Sequence, residues 1–254
     1  MTDTDRRELV VGGLLAGLPL LTACDAVSGS PRAQGVLQGA EPLTRRAQRA
    51  LVRNALAPEY AERDISPDFR ANGSVDPADA EYRRLRADGF RGYRLQVAGL
   101  VERPLSLSLV ELAAMATRTQ ITKHDCVEGW TSIGKWTGTR LSAVLDRAGL
   151  RPEARFIVFD CFDALDQRPG GERYYESIGL DDAFHEQTIL AWRMNDQPLP
   201  VRHGAPLRLR VERQLGYKHA KYIRRIEAVA SFSHIGRGKG GYWEDRGYEW
   251  YAGI

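Results

Sequence analysis

KHDCVEGW, residues 123–130, places Cys126 at the end of a strand predicted over residues 121–126, where its side chain would project into a loop-lined pocket. Four roles are open to a cysteine in that position. As a nucleophile it would use His124 as its base, because residues two apart lie on the same face of a strand. As a metal ligand, a lone thiolate suits a metal whose other ligands come from a cofactor. The remaining roles are a disulfide with Cys161 in an oxidising compartment and a buried side chain without chemistry.

The composition of the chain is that of a globular protein. With 254 residues, 43% of them hydrophobic, the chain is long enough to bury a proper core, which excludes a disordered or fibrous protein. Lys and Arg number 36 against 33 Asp and Glu, so the net charge is only +3 and gives no indication of a nucleic-acid partner. The three cysteines form no Cys-x-x-Cys pair, and the sequence has no zinc-ligand set at the usual spacing.

The apolar pattern elsewhere predicts short strands interspersed with short helices. Strands are predicted over residues 93–97, 121–126, 155–160, 188–194, 207–211 and 222–229. One helix is predicted to begin at a capping box formed by Ser108 and Glu111, and another to run from Leu141 to Ala148, where Gly149 ends it. Because strands and helices do not alternate regularly, this pattern predicts an α+β domain.

Two basic segments contain candidate binding residues. HGAPLRLR, residues 203–210, and QLGYKHAK, residues 214–221, concentrate histidine, arginine and lysine around glycine. Such a cluster suits a bound phosphate. Glycine lets backbone N–H groups approach the phosphate, Arg208 can donate hydrogen bonds to two of its oxygens, and Lys221 supplies a point charge. A solvated basic hairpin would have the same spacing, so both interpretations stay open.

Taken in order, these segments resemble the molybdopterin-binding domain of the sulfite oxidase superfamily, particularly the bacterial periplasmic branch that includes the methionine-sulfoxide reductase catalytic subunit. The resemblance extends over residues 65–229. It comprises GLVERP at residues 99–104 with Ser108 after it, the cysteine loop, WTG at 136–138, GAPLR at 204–208 and GYKHAK at 216–221. The order and spacing of these motifs carry the resemblance, since no single motif is specific.

The resemblance implies a fold, a cofactor and a set of site residues. It implies the mixed-sheet, sulfite-oxidase-type α+β fold and a molybdenum-molybdopterin cofactor, with Cys126 as the catalytic residue and the protein's ligand to the metal. The residues at the family's cofactor-binding positions are Asn72, Cys161, His203, Arg208, His219, Ala220 and Lys221. His203 stands where the reductase branch has asparagine. Cys161 stands where a threonine is expected, and a structural core cysteine is the alternative role for it.

The implied function is an oxidoreductase that carries out two-electron oxygen-atom transfer on a small molecule, either sulfite or a sulfoxide or N-oxide. A Cys-x-x-Cys-His haem motif is missing from the sequence, so we expect a separate electron carrier. The chain leaves no room after residue 254 for the immunoglobulin-like dimerisation domain of eukaryotic sulfite oxidases, which favours a monomer. The aromatic-rich residues 241–251 are expected to pack over the cofactor or to dock the carrier. The alternative function is a non-catalytic envelope lipoprotein that binds an anionic ligand in the same basic groove.

The N-terminus has the layout of an exported protein. Arg6 and Arg7 precede an apolar run over residues 9–21, whose length as a helix, about 20 Å, is too short for a hydrocarbon core of about 30 Å. The sequence LTAC at residues 21–24 resembles a bacterial lipobox, in which cleavage leaves the cysteine acylated; an ordinary cleaved signal is the alternative. The arginine pair resembles a twin-arginine signal, whose pathway exports folded, cofactor-loaded proteins.

Three regions are therefore predicted: a signal over residues 1–24, a tether and wrapping segment over 25–63, and the molybdopterin-binding domain over 64–254. Asp25, directly after the lipobox cysteine, resembles the signal that retains lipoproteins at the inner membrane. The expected location is the periplasm, with a lipid anchor at Cys24 as the only attachment to the inner membrane.

Overall fold

The computed structural model describes residues 55–166, 168 and 171–254, and in addition the single residues 30, 43 and 46. The chain divides into two units, Met1–Val52 and Arg53–Ile254, and the elements given below belong to the second unit. The predicted signal with its arginine pair and lipobox, residues 1–24, and most of the predicted tether, 25–63, lie outside the described residues. No helix in the described part of the chain is long and apolar enough to cross a membrane.

Strands and short helices mix along the described chain. The strands are β1 (Leu95–Gly99), β2 (Leu105–Leu107), β3 (Thr117–Asp125), β4 (Thr131–Arg140), β5 (Phe156–Ala164), β6 (Arg173–Gly179), β7 (Ile189–Met194), β8 (Gln197–Pro198), β9 (Arg208–Arg210) and β10 (Ile223–Val229). The α-helices are α1 (Ala80–Ala87), α2 (Leu109–Ala113), α3 (Leu141–Ala148) and α4 (Leu180–Ala183). The predicted α+β class is confirmed.

The strands form two sheets. The first has the order β2-β1-β10-β5-β6, and the second the order β3-β4-β7-β8 with β9 also paired to β7. β1 and β10 run parallel, whereas the other pairs in the first sheet are antiparallel, so this sheet is mixed.

A row of buried side chains crosses the middle of the first sheet. Val97 of β1 pairs with Ile226 of β10, which pairs in turn with Phe159 of β5, and each is at most 1% exposed. Full burial of such a side chain contributes about 1.5–3 kcal/mol. This core fixes the end of β5 and the start of β10, which both lead to the site described below.

The second sheet contains the long hairpin that presents the cysteine loop. β3 and β4 pair without interruption from Thr117 opposite Thr139 to Asp125 opposite Thr131. Two backbone hydrogen bonds close the connecting loop: Cys126 N–H donates to the Trp130 carbonyl at 3.0 Å, and Gly129 N–H donates to the Cys126 carbonyl at 3.0 Å. Cys126 is therefore the first residue after the strand, held in a tight turn.

Local sequence signals locate several elements correctly. Ser108 and Glu111 form the predicted capping box at the start of α2, and Gly149, with φ 71°, ends α3. The structure adds β4, which the apolar pattern did not predict. The inward positions of β4 include Ser132, Gly134 and Gly138 as well as Trp136, so alternation of apolar side chains is weak although the strand is half buried.

Candidate functional site

A cavity of about 150 Å³ opens at the loop that carries Cys126. Several separate parts of the chain line it: Asn72, Gly73, Ser74, Cys126, Val127, Glu128, Asp163, Leu165, Tyr174, Gly216, Tyr217, His219, Lys221, Trp243 and Tyr248. The ends of β3 and β5 and the segment before β10 thus meet at one place, which is how residues distant in sequence come to share a wall.

Cys126 is the sulfur-bearing residue of this wall. It is 8% exposed, and burial, together with the nearby Glu128 carboxylate, raises the pKa of its thiol although neighbouring backbone N–H groups oppose the shift. Cys126 and Cys161 are both free thiols, so the disulfide is not formed. No group of three or more His, Cys, Asp or Glu side chains in the described part of the chain is arranged to hold a metal ion.

His124 does not act as a base for Cys126 in this geometry, because its ring is committed elsewhere. Arg210 Nη1 donates to His124 Nδ1 at 3.0 Å, and Arg210 Nε donates to Glu212 Oε1 at 2.9 Å, all three side chains being buried. An arginine is always the donor, so the neutral imidazole carries its proton on Nε2. Burial, with Arg210 and Arg208 nearby, holds the pKa of His124 well below its ordinary value.

His219 is the second buried imidazole of the site, with its ring centroid 5.0 Å from that of His124. Its Nε2 lies 3.0 Å from the Gln214 carbonyl oxygen, to which it must donate. Burial and Arg210 hold the pKa of His219 well below its ordinary value, so Nδ1 is an acceptor, and it has no partner among the described residues. The two rings therefore offer one donor, His124 Nε2, and one acceptor, His219 Nδ1.

Gly216 allows the turn that it begins to approach the end of β3 closely. A Cβ atom at this position would lie 2.6 Å from His124 Nε2 and 3.1 Å from the Asp125 carbonyl oxygen. Both contacts are shorter than normal packing distances, so a side chain here would push the 3₁₀ turn Gly216–Lys218 away from the end of β3. The glycine in the GYK motif is required by this contact.

Arg208 is a buried cation with unused donors. It is 1% exposed, its Nη1 donates to the His203 carbonyl at 3.0 Å, and its Nε and Nη2 have no partner among the described residues. Its guanidinium carbon lies 4.9 Å from the centroid of the Trp136 ring. Burial and the charge of Arg210 lower the pKa of Arg208 to about 9. A buried cation of this kind is stable only when an anion accompanies it.

The contacts of Lys221 differ from the phosphate contact that the sequence predicts for it. Its Nζ donates to the backbone carbonyls of Asn72 at 2.6 Å, of Ser74, and of Arg202 at 3.3 Å. All three ammonium protons are thus donated to backbone carbonyls. Lys221 is therefore a clamp that holds the loop carrying Asn72, and it has no proton left to donate to a phosphate. Burial and Arg208 lower the pKa of Lys221 to about 7, against the opposing charge of Asp163.

Asp163 was not among the predicted site residues, although it lines the cavity. It is 3% exposed, and its Oδ1 has no partner among the described residues. Burial raises the pKa of its carboxyl to about 7, and Lys221 opposes that shift. The alternation of a strand could have found it, because Asp163 lies two residues after the predicted Cys161 on β5.

The predicted site residues fall into three groups. Asn72, Cys126, His219 and Lys221 line the cavity. Buried ring contacts connect His203 to them, since His203 packs on Phe69 at 5.6 Å and Phe69 packs on His124 at 5.7 Å.

Arg208 also belongs to the buried layer next to this wall, because it is bonded to the His203 carbonyl. Cys161 and Ala220 form the third group. Both are almost fully buried in the core and do not belong to the cavity wall among the described residues.

The unpartnered polar atoms allow a test of fit for molybdopterin, which carries a terminal phosphate and a pterin ring with N–H donors. Unpartnered donors that suit a phosphate are Arg208 Nε and Nη2, His124 Nε2 and Trp136 Nε1. Unpartnered acceptors that suit the N–H groups of a pterin are Asp163 Oδ1 and His219 Nδ1. Native proteins rarely leave so many buried polar atoms unpaired at one place, so these residues fit the cofactor.

Comparison with known proteins agrees with this fit. Residues 84–234 match the family described as oxidoreductase molybdopterin binding domain. A protein of Azospira oryzae, provisionally named protein-methionine-sulfoxide reductase subunit YedZ1, is 37% identical over 240 residues, which cover 94% of this chain and 84% of that protein.

Other similar proteins match a smaller part of this chain. The protein-methionine-sulfoxide reductase catalytic subunit MsrP of Xanthomonas axonopodis pv. citri is 37% identical over 144 residues, covering 54% of this chain and 45% of that protein. Its Campylobacter jejuni counterpart is 30% identical over 145 residues, covering 54% and 49%. The chain thus spans about half the length of these MsrP relatives. Among solved structures, the sulfane dehydrogenase SoxCD of Paracoccus pantotrophus is 24% identical with a TM-score of 0.49, covering 56% of this chain and 39% of that one.

The family match covers more than half of this chain, and the Azospira relative is 37% identical over 94% of this chain and 84% of its own length. The chain belongs to the oxidoreductase molybdopterin-binding domain family and is an oxidoreductase enzyme.

Proposed function

We propose that this enzyme uses a molybdenum-molybdopterin cofactor to reduce a small organic sulfoxide of the methionine-sulfoxide type. The reaction converts a sulfoxide, two electrons and two protons into a thioether and water. The relatives named as methionine-sulfoxide reductases support this direction, and the cavity wall supports this substrate class.

The observation that carries the proposal is the character of the wall beside Cys126. Four aromatic side chains line it, namely Tyr174, Tyr217, Trp243 and Tyr248, and Glu128 adds a carboxylate. Aromatic faces and carboxylates repel an anion such as sulfite, whereas a neutral methyl sulfoxide gains contact with the rings. The cation in this wall, Lys221, donates its protons to backbone carbonyls and leaves none for an oxyanion.

The chain's own residues have distinct tasks in this proposal. When bound, the cofactor supplies the two-electron redox change. Cys126 is the protein's ligand to the molybdenum, and Arg208, His124 and Trp136 hold the phosphate through their unpartnered donors. Asp163 and His219 accept hydrogen bonds from the pterin. Burial of these groups excludes water, which strengthens each contact.

A substrate panel with purified holoenzyme tests the proposal. We expect about one molybdenum per chain, and with reduced viologen as electron donor we expect reduction of methionine sulfoxide. Its kcat/KM should exceed that for sulfite oxidation, measured with ferricyanide as acceptor, by about a hundredfold. Faster oxidation of sulfite would contradict the substrate class. Purification without molybdenum would favour the alternative, a lipoprotein that binds an anionic ligand.

The viologen in this assay replaces a separate electron carrier, which we include in the proposal because the sequence lacks a haem attachment motif. The carrier would exchange electrons with the cofactor from outside the chain.

The location is a further part of the proposal and rests on the sequence of residues 1–25. We propose a periplasmic enzyme anchored to the inner membrane by acylated Cys24. Two acyl chains anchor a protein stably whereas one does not, so Cys24→Ala should move the enzyme from the membrane fraction to the soluble fraction or block its processing. Wild type and variant found equally in the soluble periplasmic fraction would contradict the anchor, and residues up to 23 would then be an ordinary cleaved signal.

A further inference from the structure

Part of the cavity wall comes from outside the residues that match the family. The match ends at residue 234, yet Trp243 and Tyr248 line the cavity together with Cys126. The chain therefore adds two aromatic side chains from its C-terminal segment, residues 235–254, to a site whose cofactor-binding residues lie in or before the matched domain.

This segment is fixed to the turn that follows Gly216. Lys218 Nζ lies 2.5 Å from a carboxylate oxygen of Glu244 in the segment and of Glu176 in β6, and all three side chains are at most 1% exposed. Tyr217 Oη donates to the Glu249 carbonyl at 2.6 Å. Removing one partner from a buried ion pair is strongly destabilising, so the segment is a fixed wall of the cavity.

A second carboxylate holds the start of the segment. Asp245 Oδ2 accepts a hydrogen bond from Tyr175 Oη at 2.6 Å and another from Arg237 N–H at 2.8 Å. Asp245 Oδ1 accepts from Lys239 N–H at 3.1 Å. Tyr242 N–H donates to the Tyr175 carbonyl at 3.0 Å, so Trp243 lies between two anchored residues, Tyr242 and Glu244, and its backbone is held on both sides.

The aromatic rings of the wall form an ordered group. The Trp243 and Tyr248 rings are stacked, with centroids 5.2 Å apart and planes 28° apart, and Tyr217 meets Tyr248 edge-on at 5.2 Å. Tyr248 is 39% exposed, so the group extends from the cavity to the surface. Sulfur and the methyl groups attached to it make favourable contacts with aromatic rings, whereas an anion is repelled by the ring face.

We propose that Trp243 and Tyr248 are specificity-determining residues that hold the sulfur and the S-methyl group of a methionine-sulfoxide side chain in the cavity. This inference rests on the proposed function, because it names the part of the site that recognises the organic portion of the sulfoxide. It assigns substrate selection to the C-terminal segment and cofactor binding to the matched domain.

Steady-state kinetics of Trp243→Ala holoenzyme test the inference. We expect the KM for a methionine-sulfoxide peptide to rise about tenfold with kcat within about twofold, because binding contacts are lost while the redox centre is unchanged. Trp243→Phe, which keeps an aromatic ring, should recover most of the affinity. Phe184→Ala serves as the control, because Phe184 is exposed and lies outside the wall. Equal molybdenum content in all variants establishes that the site is loaded.

Calorimetric titration supplies a readout that does not depend on turnover. The thioether product, as a methionine-containing peptide, should bind wild-type holoenzyme about tenfold more tightly than Trp243→Ala, and about threefold more tightly than Tyr248→Ala. Unchanged KM and unchanged thioether affinity in both alanine variants would overturn the inference. Wild-type enzyme that binds the thioether but reduces no sulfoxide would instead overturn the proposed function, so the two failures are distinguishable.

Discussion

Replacing Cys126 by serine is expected to abolish sulfoxide reduction. The proposal assigns the thiolate sulfur of Cys126 to the metal, and serine would replace that sulfur by an oxygen donor of different softness, which changes the redox centre. The loop itself should survive, because it is closed by backbone hydrogen bonds between Cys126, Gly129 and Trp130 that do not involve the sulfur. We therefore expect loss of activity and of the thiolate-to-molybdenum absorption band, with a free energy of unfolding within about 1 kcal/mol of wild type.

Cys161→Ala is the matched control for this experiment. Cys161 is fully buried in β5, outside the cavity wall, so its removal should leave the absorption band intact and lower stability by about 1 kcal/mol. An absorption band that persists in Cys126→Ser would refute the assignment of Cys126 as the metal ligand.

A second large effect is expected for Arg208→Met. The substitution removes the two unpartnered donors, Nε and Nη2, and charge-assisted hydrogen bonds contribute about 1.5–3 kcal/mol each. Cofactor affinity should fall by a hundredfold or more, which molybdenum analysis of the purified protein would detect as occupancy below about a tenth. The cofactor-free variant should be at least as stable as cofactor-free wild type, because methionine removes a buried guanidinium whose Nε and Nη2 donate to no group among the described residues.

Arg224→Met provides the comparison for that result. Arg224 forms an ion pair with Asp160 on a partly exposed surface, so its loss should change neither cofactor content nor stability by a measurable amount. Full cofactor content in Arg208→Met would show that Arg208 is a structural residue and that the phosphate binds elsewhere.

The parts of the site that the sequence predicted are those determined by local signals. Cys126 lies where a strand meets a loop, and the apolar residues before it indicate that strand. The candidate cofactor-binding residues around Arg208 and His219 were predicted from the resemblance together with the concentration of charge around glycine. Each of these features lies within a few residues of sequence, and those residues stay close together in the structure.

The parts that the sequence missed depend on long-range packing. The strand predicted over residues 155–160 continues as β5 to Ala164. Cys161 and Asp163 lie two residues apart on β5, yet only Asp163 lines the cavity, because the segments that form the cavity pack against the end of the strand. Trp243 follows Cys126 by more than a hundred residues, and no periodicity indicates that they share a cavity. The use of Lys221 as a clamp could not be predicted either, because its acceptors are backbone carbonyls, which every residue has.

The hydrogen bonds of the Lys221 clamp join parts of the chain that are far apart in sequence, which affects the order of folding. Its ammonium group joins carbonyls of Asn72 and Ser74 that precede it by 149 and 147 residues. Contacts between such distant positions form only after the intervening chain has been ordered, because closing a long loop costs entropy before the contact repays it. We therefore expect the cavity to form late in folding, which pulsed hydrogen exchange at the amide groups near Asn72 and Lys221 would detect as late protection.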